Sequence, residues 1–126
     1  MSVFTQEELR YLLSERRLAR LATVGPDGTP HVAPVGWSYN RDHDSIDIGG
    51  RRLEASKKYR DVARTGRAAV VIDDVLPPWQ PRGVEVRGRA EAVTEPTPLI
   101  RVHPERVISW GIHSDVVDER HARRVD

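Results

Sequence analysis

The sequence predicts a mainly β fold of the α+β class, in which an antiparallel sheet closes into a small barrel with helices on its outside. Three observations carry this prediction: most apolar segments have the two-residue period of strands, short turns join them, and only two segments have helical spacing. With 126 residues, 38% of them hydrophobic, the chain is long enough for one domain with a core and too short for two. We therefore expect a single domain over residues 1–126.

The first helix is predicted to begin at Thr5, because Thr5 and Glu8 have the spacing of a capping box. Phe4 and Leu9 flank this pair as a hydrophobic staple does, and the apolar stripe continues to about Glu15. We expect this helix to pack against the sheet and to have a structural role.

A β-hairpin follows, in which strands over 18–24 and 29–39 are joined by the turn at 25–28. Pro34 and Gly36 interrupt the second strand. A proline and a glycine inside a strand indicate an edge, a bulge, or a place where another molecule approaches the backbone closely.

The rest of the chain alternates between strands and one further helix. A glycine pair at Gly49-Gly50 separates the third strand from this helix. A rigid proline-rich loop at 76–81 precedes a long strand that is predicted to have one solvent-exposed face. From His113 onward the charged residues have no apolar period, which predicts a loosely ordered tail over 113–126. The predicted helix covers 54–65, and the predicted strands cover 45–48, 68–73, 84–93, 99–102 and 107–110.

Composition and charge exclude several classes of function. The chain has 20 Lys and Arg against 19 Asp and Glu, so its charge gives no general reason to expect nucleic acid or a membrane as a partner. No apolar run reaches the roughly 20 residues of a membrane helix, and the start has no signal-peptide pattern, which predicts a cytoplasmic protein. The sequence has no cysteine, no metal-type histidine spacing and no hydrolase motif, so we expect no metal site.

A basic cluster lies between positions 51 and 67, where seven residues are basic and only two, Glu54 and Asp61, are acidic. The cluster follows the glycine pair and crosses a predicted helix start, where backbone amides, the positive helix end and cationic side chains can bind a phosphate. The same pattern is also typical of a solvated helix face, and both interpretations stay open. The seven residues are Arg51, Arg52, Lys57, Lys58, Arg60, Arg64 and Arg67.

Trp79 lies in the proline-rich loop and is a second candidate for ligand contact. An indole in such a loop can cover a planar ring, or it can fill a core or a dimer interface. The sequence leaves these two roles open.

At this point four strings of the sequence together resemble the pyridoxamine-5′-phosphate-oxidase-like family, in particular its actinobacterial branch associated with the deazaflavin cofactor F420. Each string alone is weak, because such hairpins and helix starts occur in many folds. The resemblance as a whole covers roughly residues 5 to 111. The strings are LARLATVGPDGTPHVAPVGW, SKKYRDVARTGRAAVVIDD, LPPWQPRGVEVRGRAEAV and LIRVHPERVISWG.

The resemblance implies a six-stranded antiparallel split β-barrel with flanking helices, forming a homodimer with the cofactor in a cleft at the interface. It implies an oxidoreductase that uses F420 for hydride transfer to a small organic substrate. An FMN-dependent oxidoreductase and a non-catalytic flavin- or F420-binding protein are the alternatives, because a basic cluster serves either cofactor's phosphate equally well. Haem binding also occurs among relatives of this fold, with His31 or His103 as the candidate axial ligand.

The resemblance also implies which residues hold the cofactor. The phosphate would meet the start of the second helix, and the ring would lie against the backbone of the second strand. No catalytic acid or base is implied, because hydride chemistry belongs mainly to the cofactor. Many relatives have asparagine where this chain has Asp61. The candidate cofactor-binding residues are Pro34, Val35, Gly36, Gly49, Arg51, Arg52, Ser56, Lys57, Lys58 and Trp79.

Overall fold

The computed structural model describes residues 1–15, 17–113 and 120–125. Among these residues, no helix is both long enough and apolar enough to cross a membrane. The helices are α1 (Gln6–Ser14) and α2 (Lys57–Thr65), with a 3-10 turn at Leu53–Ala55. The strands are β1 (Ala19–Val24), β2 (Pro30–Asn40), β3 (Ser45–Gly49), β4 (Arg67–Leu76), β5 (Gln80–Val93), β6 (Leu99–Trp110) and β7 (Arg120–Arg124).

The strands form one antiparallel sheet in the order β3-β2-β1-β4-β5-β6-β7. β3 also pairs with β6, where Ile46 lies opposite Val102 and Ile48 opposite Ile100. This additional pairing closes the first six strands into a barrel, and β7 lies outside the closed set. The predicted antiparallel barrel with flanking helices is confirmed.

The core lies inside the barrel, because alternate residues of each strand point inward. Leu21, Ile46, Ile72 and Ile100 are among the fully buried side chains. Burying a side chain of this size contributes about 1.5–3 kcal/mol, so these residues favour closure of the sheet.

The entry to α1 has the predicted capping box. The Thr5 hydroxyl accepts from the Glu8 backbone N–H at 3.1 Å, and the Glu8 carboxylate accepts from the Thr5 backbone N–H at 2.9 Å. The prediction of a helix beginning here is therefore confirmed, and Phe4 and Leu12 pack into the core beside it.

Two predicted loops are wholly or partly strand in the structure. β6 is continuous from Leu99 to Trp110, because a bulge rather than a loop accommodates Pro104 and Glu105. The loop at 76–81 is shorter than predicted, since Val75 pairs with Pro81 and Leu76 with Gln80, which leaves only residues 77–79 in the turn. Prolines at the end of a hairpin are compatible with strand structure, which the sequence pattern alone did not indicate.

The prediction of a loosely ordered tail is wrong for the end of the chain. Residues 120–124 form β7, which pairs with β6 from Arg120 opposite Trp110 to Arg124 opposite Arg106. An arginine, Arg123, takes an inward position that an apolar residue would normally occupy, so the sequence shows no apolar period. Residues 114–119 and 126 lie outside the described residues.

Candidate functional site

A cleft of about 200 Å³ opens where the β1–β2 hairpin meets the beginning of α2. Its floor is made by two cross-strand pairs, Leu21 opposite Ala33 and Thr23 opposite His31. The floor combines the apolar Leu21 and Ala33 with the polar Thr23 and His31, and together with a cationic rim it suits a ligand with a planar ring and an anionic group. The lining residues are Leu21, Thr23, His31, Val32, Ala33, Lys57 and Lys58.

The local sequence around Ser56 sets the direction of α2. The Ser56 hydroxyl accepts from the Tyr59 backbone N–H at 3.3 Å and donates to the Leu53 carbonyl at 2.6 Å. Ser56 therefore caps the helix and fixes the preceding turn. Lys57 and Lys58 are the first residues of the helix, where the positive end of the helix dipole adds to their charge.

Asp61 is buried beneath this rim and connects α2 to β1. Its carboxylate accepts from the Thr23 hydroxyl at 3.0 Å and from the Arg64 guanidinium at 3.2 Å, and lies 3.8 Å from the Lys57 ammonium. Burial raises the pKa of Asp61, but these hydrogen bonds and the two cations lower it by a larger amount. The pKa of Asp61 therefore lies below its ordinary value. Asp61 therefore stays ionised and partly neutralises Lys57.

Lys58 has a different environment from Lys57. Within the described ranges, no carboxylate lies within ion-pairing distance of Lys58, although Lys58 lines the same cleft. Of the two lysines, Lys58 is therefore the one whose charge is available to a ligand.

The second strand offers bare backbone after Ala33, although none of the predicted residues Pro34, Val35, Gly36 and Gly49 lines the cleft. Pro34 and Gly36 are exposed, whereas Val35 points inward and is buried. Gly36 lies opposite Gly49 on β3, and a Cβ added to either glycine would have no other atom within 4 Å. No packing constraint within the described chain requires these two glycines, and the space above them is open.

The remaining predicted site residues do not line the cleft. Arg51 and Arg52 are exposed in the turn after β3, and Arg52 has a left-handed backbone with φ of 55°. Trp79 is 70% exposed in the turn between β4 and β5. The structure thus brings Lys57 and Lys58 together at the cleft and pairs Gly36 with Gly49, while these other three side chains lie apart.

Sequence reasoning missed Thr23 and considered His31 only as an axial ligand. The hairpin turn was a usable signal, because its register places Thr23 directly opposite His31. Gly25 also matters here, since a Cβ at this position would lie 2.8 Å from Nε2 of His31. His103, the other histidine considered, is bonded to Glu91 on β5 and does not line the cleft. In the part of the chain that the structure describes, no group of three or more acidic or histidine side chains could hold a metal ion.

The family model of pyridoxamine 5′-phosphate oxidase matches residues 5–123. The chain belongs to this family. Membership places it among the oxidoreductases and confirms the prediction that it is an enzyme.

Relatives of this pyridoxamine 5′-phosphate oxidase family member include a reductase and two solved structures. A 5a,11a-dehydrotetracycline/5a,11a-dehydrooxytetracycline reductase of Streptomyces rimosus is 39% identical over 133 residues, covering 97% of this chain and 93% of the reductase. A structure described as an F420 reductase has a TM-score of 0.60 and 24% identity over 78% of this chain and 94% of its own. A heme binding protein from Mycobacterium smegmatis has a TM-score of 0.72 and 15% identity over 94% of this chain, which spans 57% of that protein.

Proposed function

We propose that this protein is a cytoplasmic reductase that binds F420 and transfers a hydride to a small organic substrate, with FMN as the alternative cofactor. The observation that carries the proposal is the cleft, in which an apolar floor meets two lysines at the beginning of a helix. The reductase relative supports the reaction class, and the F420 reductase structure supports the choice of cofactor.

The phosphate of either cofactor fits the beginning of α2. Lys58 supplies an ammonium that has no counter-ion among the described residues, and the first turn of the helix supplies free backbone N–H groups. Lys57 contributes less positive charge, because Asp61 partly neutralises it. We therefore assign the main phosphate contact to Lys58.

The ring of the cofactor fits the exposed strip of β2. Pro34 and Gly36 present little side-chain bulk, and Gly36 and Gly49 leave the backbone open across two neighbouring strands. A flat ring can lie close to the backbone at Gly36 and Gly49, because neither residue has a Cβ.

The bound cofactor supplies the hydride, and the protein binds, orients and shields it. Lys58 and the helix end fix one end of the ligand, while Leu21, Val32 and Ala33 keep water from its apolar side. His31 supplies an imidazole on the floor of the cleft, where a ring N–H can donate a hydrogen bond to a bound group.

A second copy of the chain would complete the site. The cleft of about 200 Å³ is smaller than the usual range for a cofactor-sized ligand, roughly 300–1,000 Å³. Val32, which lines the cleft, is 71% exposed, and Leu18, just before β1, is 53% exposed. A homodimer that covers these residues would bury apolar surface and enlarge the cleft at the same time.

The test is an absorption and equilibrium titration of the purified protein with F420 and, separately, with FMN. We expect F420 to bind more tightly, and light scattering to give a mass of two chains. Lys58→Ala should weaken binding about tenfold or more, since a shielded charge-assisted hydrogen bond contributes roughly 1.5–3 kcal/mol.

The matched control is Arg60→Ala, which removes a cation from the exposed side of the same helix. Its guanidinium donates to the Ala55 carbonyl and does not line the cleft, so affinity should change less than about twofold. Equal losses in the two variants would reject the assignment of Lys58. Binding of neither cofactor, or a haem absorption band on adding haem, would reject the proposed function.

A further inference from the structure

Three arginines lie side by side across the neighbouring strands β5, β6 and β7. On β5 and β6, Arg87 is directly opposite Arg106, and on β6 and β7, Arg106 is directly opposite Arg124. Like charges at directly opposite positions destabilise a sheet. A row of three therefore indicates a function that compensates for the repulsion.

The three arginines line a hollow of about 460 Å³. Arg67 and Glu105 also line it and form an ion pair at 2.9 Å, while Arg87 is paired with Glu85 at 2.6 Å. Within the described residues, neither Arg106 nor Arg124 has a carboxylate partner. Among the described lining residues, four arginines therefore accompany one carboxylate, that of Glu105.

The backbone around the hollow is fixed by close packing. The β5–β6 ladder shifts register between Arg87 and Gly88, and a Cβ at Gly88 would lie 2.0 Å from the His103 carbonyl oxygen. The Val125 backbone N–H donates to the Glu105 carbonyl at 2.8 Å and holds the end of β7 on this bulge. Bulges of this kind redirect side chains and are common beside functional sites.

We propose that this hollow binds a small polyanion with two or more phosphate or carboxylate groups. Neighbouring strands are about 4.8 Å apart, so Arg87 and Arg124 are separated by about 10 Å at the backbone. Two anionic groups of one ligand can span that distance, and each can accept paired hydrogen bonds from a guanidinium. A single phosphate would leave part of the row unpaired.

The polyanion site is separate from the cofactor cleft. The two hollows share no lining residue, and their cations come from different elements: the lysines from α2, the arginines from β4, β5, β6 and β7. The proposal therefore does not depend on the proposed function, and it can be tested without F420 or FMN.

The test is calorimetric titration of the whole protein with sodium tripolyphosphate and, separately, with a tri-glutamate peptide. A salt concentration of about 50 mM keeps screening weak. We expect one equivalent to bind. Arg106→Gln and Arg124→Gln should each lower the affinity about fivefold or more, and the double variant should abolish measurable binding.

Two controls separate the hollow from other basic surfaces. Arg41→Gln removes an exposed arginine from the β2–β3 turn, and Lys58→Ala removes the main cation of the cleft. Arg41→Gln should bind tripolyphosphate as the parent does, and Lys58→Ala measures what the cleft contributes to the binding. The ligand that binds more tightly then shows whether the site prefers phosphates or carboxylates.

Melting temperature without ligand shows whether the variants fold. Arg106→Gln should melt at the same temperature as the parent or higher at low salt, because one repulsive pair is removed on each side. Loss of binding in Lys58→Ala with normal binding in Arg106→Gln would place the anion in the cleft and overturn the proposal. Equal, weak binding by every variant would identify the row as a solvated surface and would also overturn it.

Discussion

The substitution Arg123→Ala tests whether β7 is part of the stable structure. Glu8 in α1 is fully buried, and Arg123 in β7 donates to both of its carboxylate oxygens, at 2.6 and 2.9 Å. The Ser109 hydroxyl and the Thr5 backbone N–H also donate to this carboxylate. Burial raises the pKa of Glu8, but these donors lower it by a larger amount, so the pKa lies below its ordinary value. Glu8 is therefore a buried anion in the folded protein.

The expected loss of stability follows from removing the guanidinium that pairs with this buried carboxylate. Removing one partner of a buried ion pair costs roughly 3–5 kcal/mol. The Arg123 side chain is 32% exposed, and two neutral donors remain in the variant, so the lower end applies. We expect about 3 kcal/mol, which corresponds to a fall in Tm of roughly 10 °C for a domain of this size.

Urea unfolding of the parent, of Arg123→Ala and of Arg124→Ala measures this difference. Arg124 is the matched control, because it is adjacent in sequence and has no carboxylate partner among the described residues. Its replacement should change the free energy of unfolding by about 0.5 kcal/mol or less. A change below about 1 kcal/mol for Arg123→Ala would refute the reasoning, because it would mean that β7 is not held on Glu8.

The pH dependence of the same measurement has a definite sign. The folded-state pKa of Glu8 is lowered from its ordinary value of 4.5, so its contribution is complete above pH 4.5. The contribution is lost as the pH falls through the lower, folded-state pKa. The difference between the parent and Arg123→Ala should therefore shrink below pH 4.5. A difference that stays constant down to acid pH would show that ionisation of Glu8 is not involved.

Three further substitutions test the glycines and Asp61. Gly88→Ala should cost about 3 kcal/mol or more in urea unfolding, because the new Cβ meets the His103 carbonyl oxygen at 2.0 Å. Normal stability would contradict this close approach. Gly36→Ala should change the free energy of unfolding by less than about 0.5 kcal/mol, because the space above Gly36 is open. The same substitution should weaken cofactor binding, because the new methyl group would occupy the space proposed for the ring. Unchanged titration curves would place the ring elsewhere. Asp61→Asn keeps a hydrogen-bond acceptor for the Thr23 hydroxyl and removes a negative charge. Cofactor affinity should therefore rise by roughly two- to fivefold. A fall in affinity would contradict the neutralising effect of Asp61 on Lys57.

Local patterns were sufficient to predict most of the barrel. The capping box at Thr5 and Glu8 fixed the beginning of α1, and the turn at 25–28 fixed the β1–β2 hairpin, because both signals act within a few residues. β7 could not be predicted in this way. Its inward residue Arg123 is stabilised by Glu8, which lies 115 positions earlier in the chain.

The candidate site shows the same division between local and distant effects. Lys57 and Lys58 were predictable from the helix start that Ser56 caps. The difference between the two lysines was not predictable, because it depends on how Asp61 is oriented by Thr23 on another element. Lys57 is thus partly neutralised by Asp61, whereas the charge of the adjacent Lys58 is available to a ligand.

The prolines of β2 have a consequence for how two copies of the protein can meet. β3 pairs with β2 only from Gly36 onward, so residues 30–35 have β1 as their one neighbouring strand among the described elements. Pro30 and Pro34 lie in this stretch and have no N–H group to offer to an added strand. Strand-to-strand joining at this open edge is therefore disfavoured. The exposed apolar face around Val32 does not depend on strand addition for its contacts. Two copies could therefore associate through this face without adding further strands to the sheet.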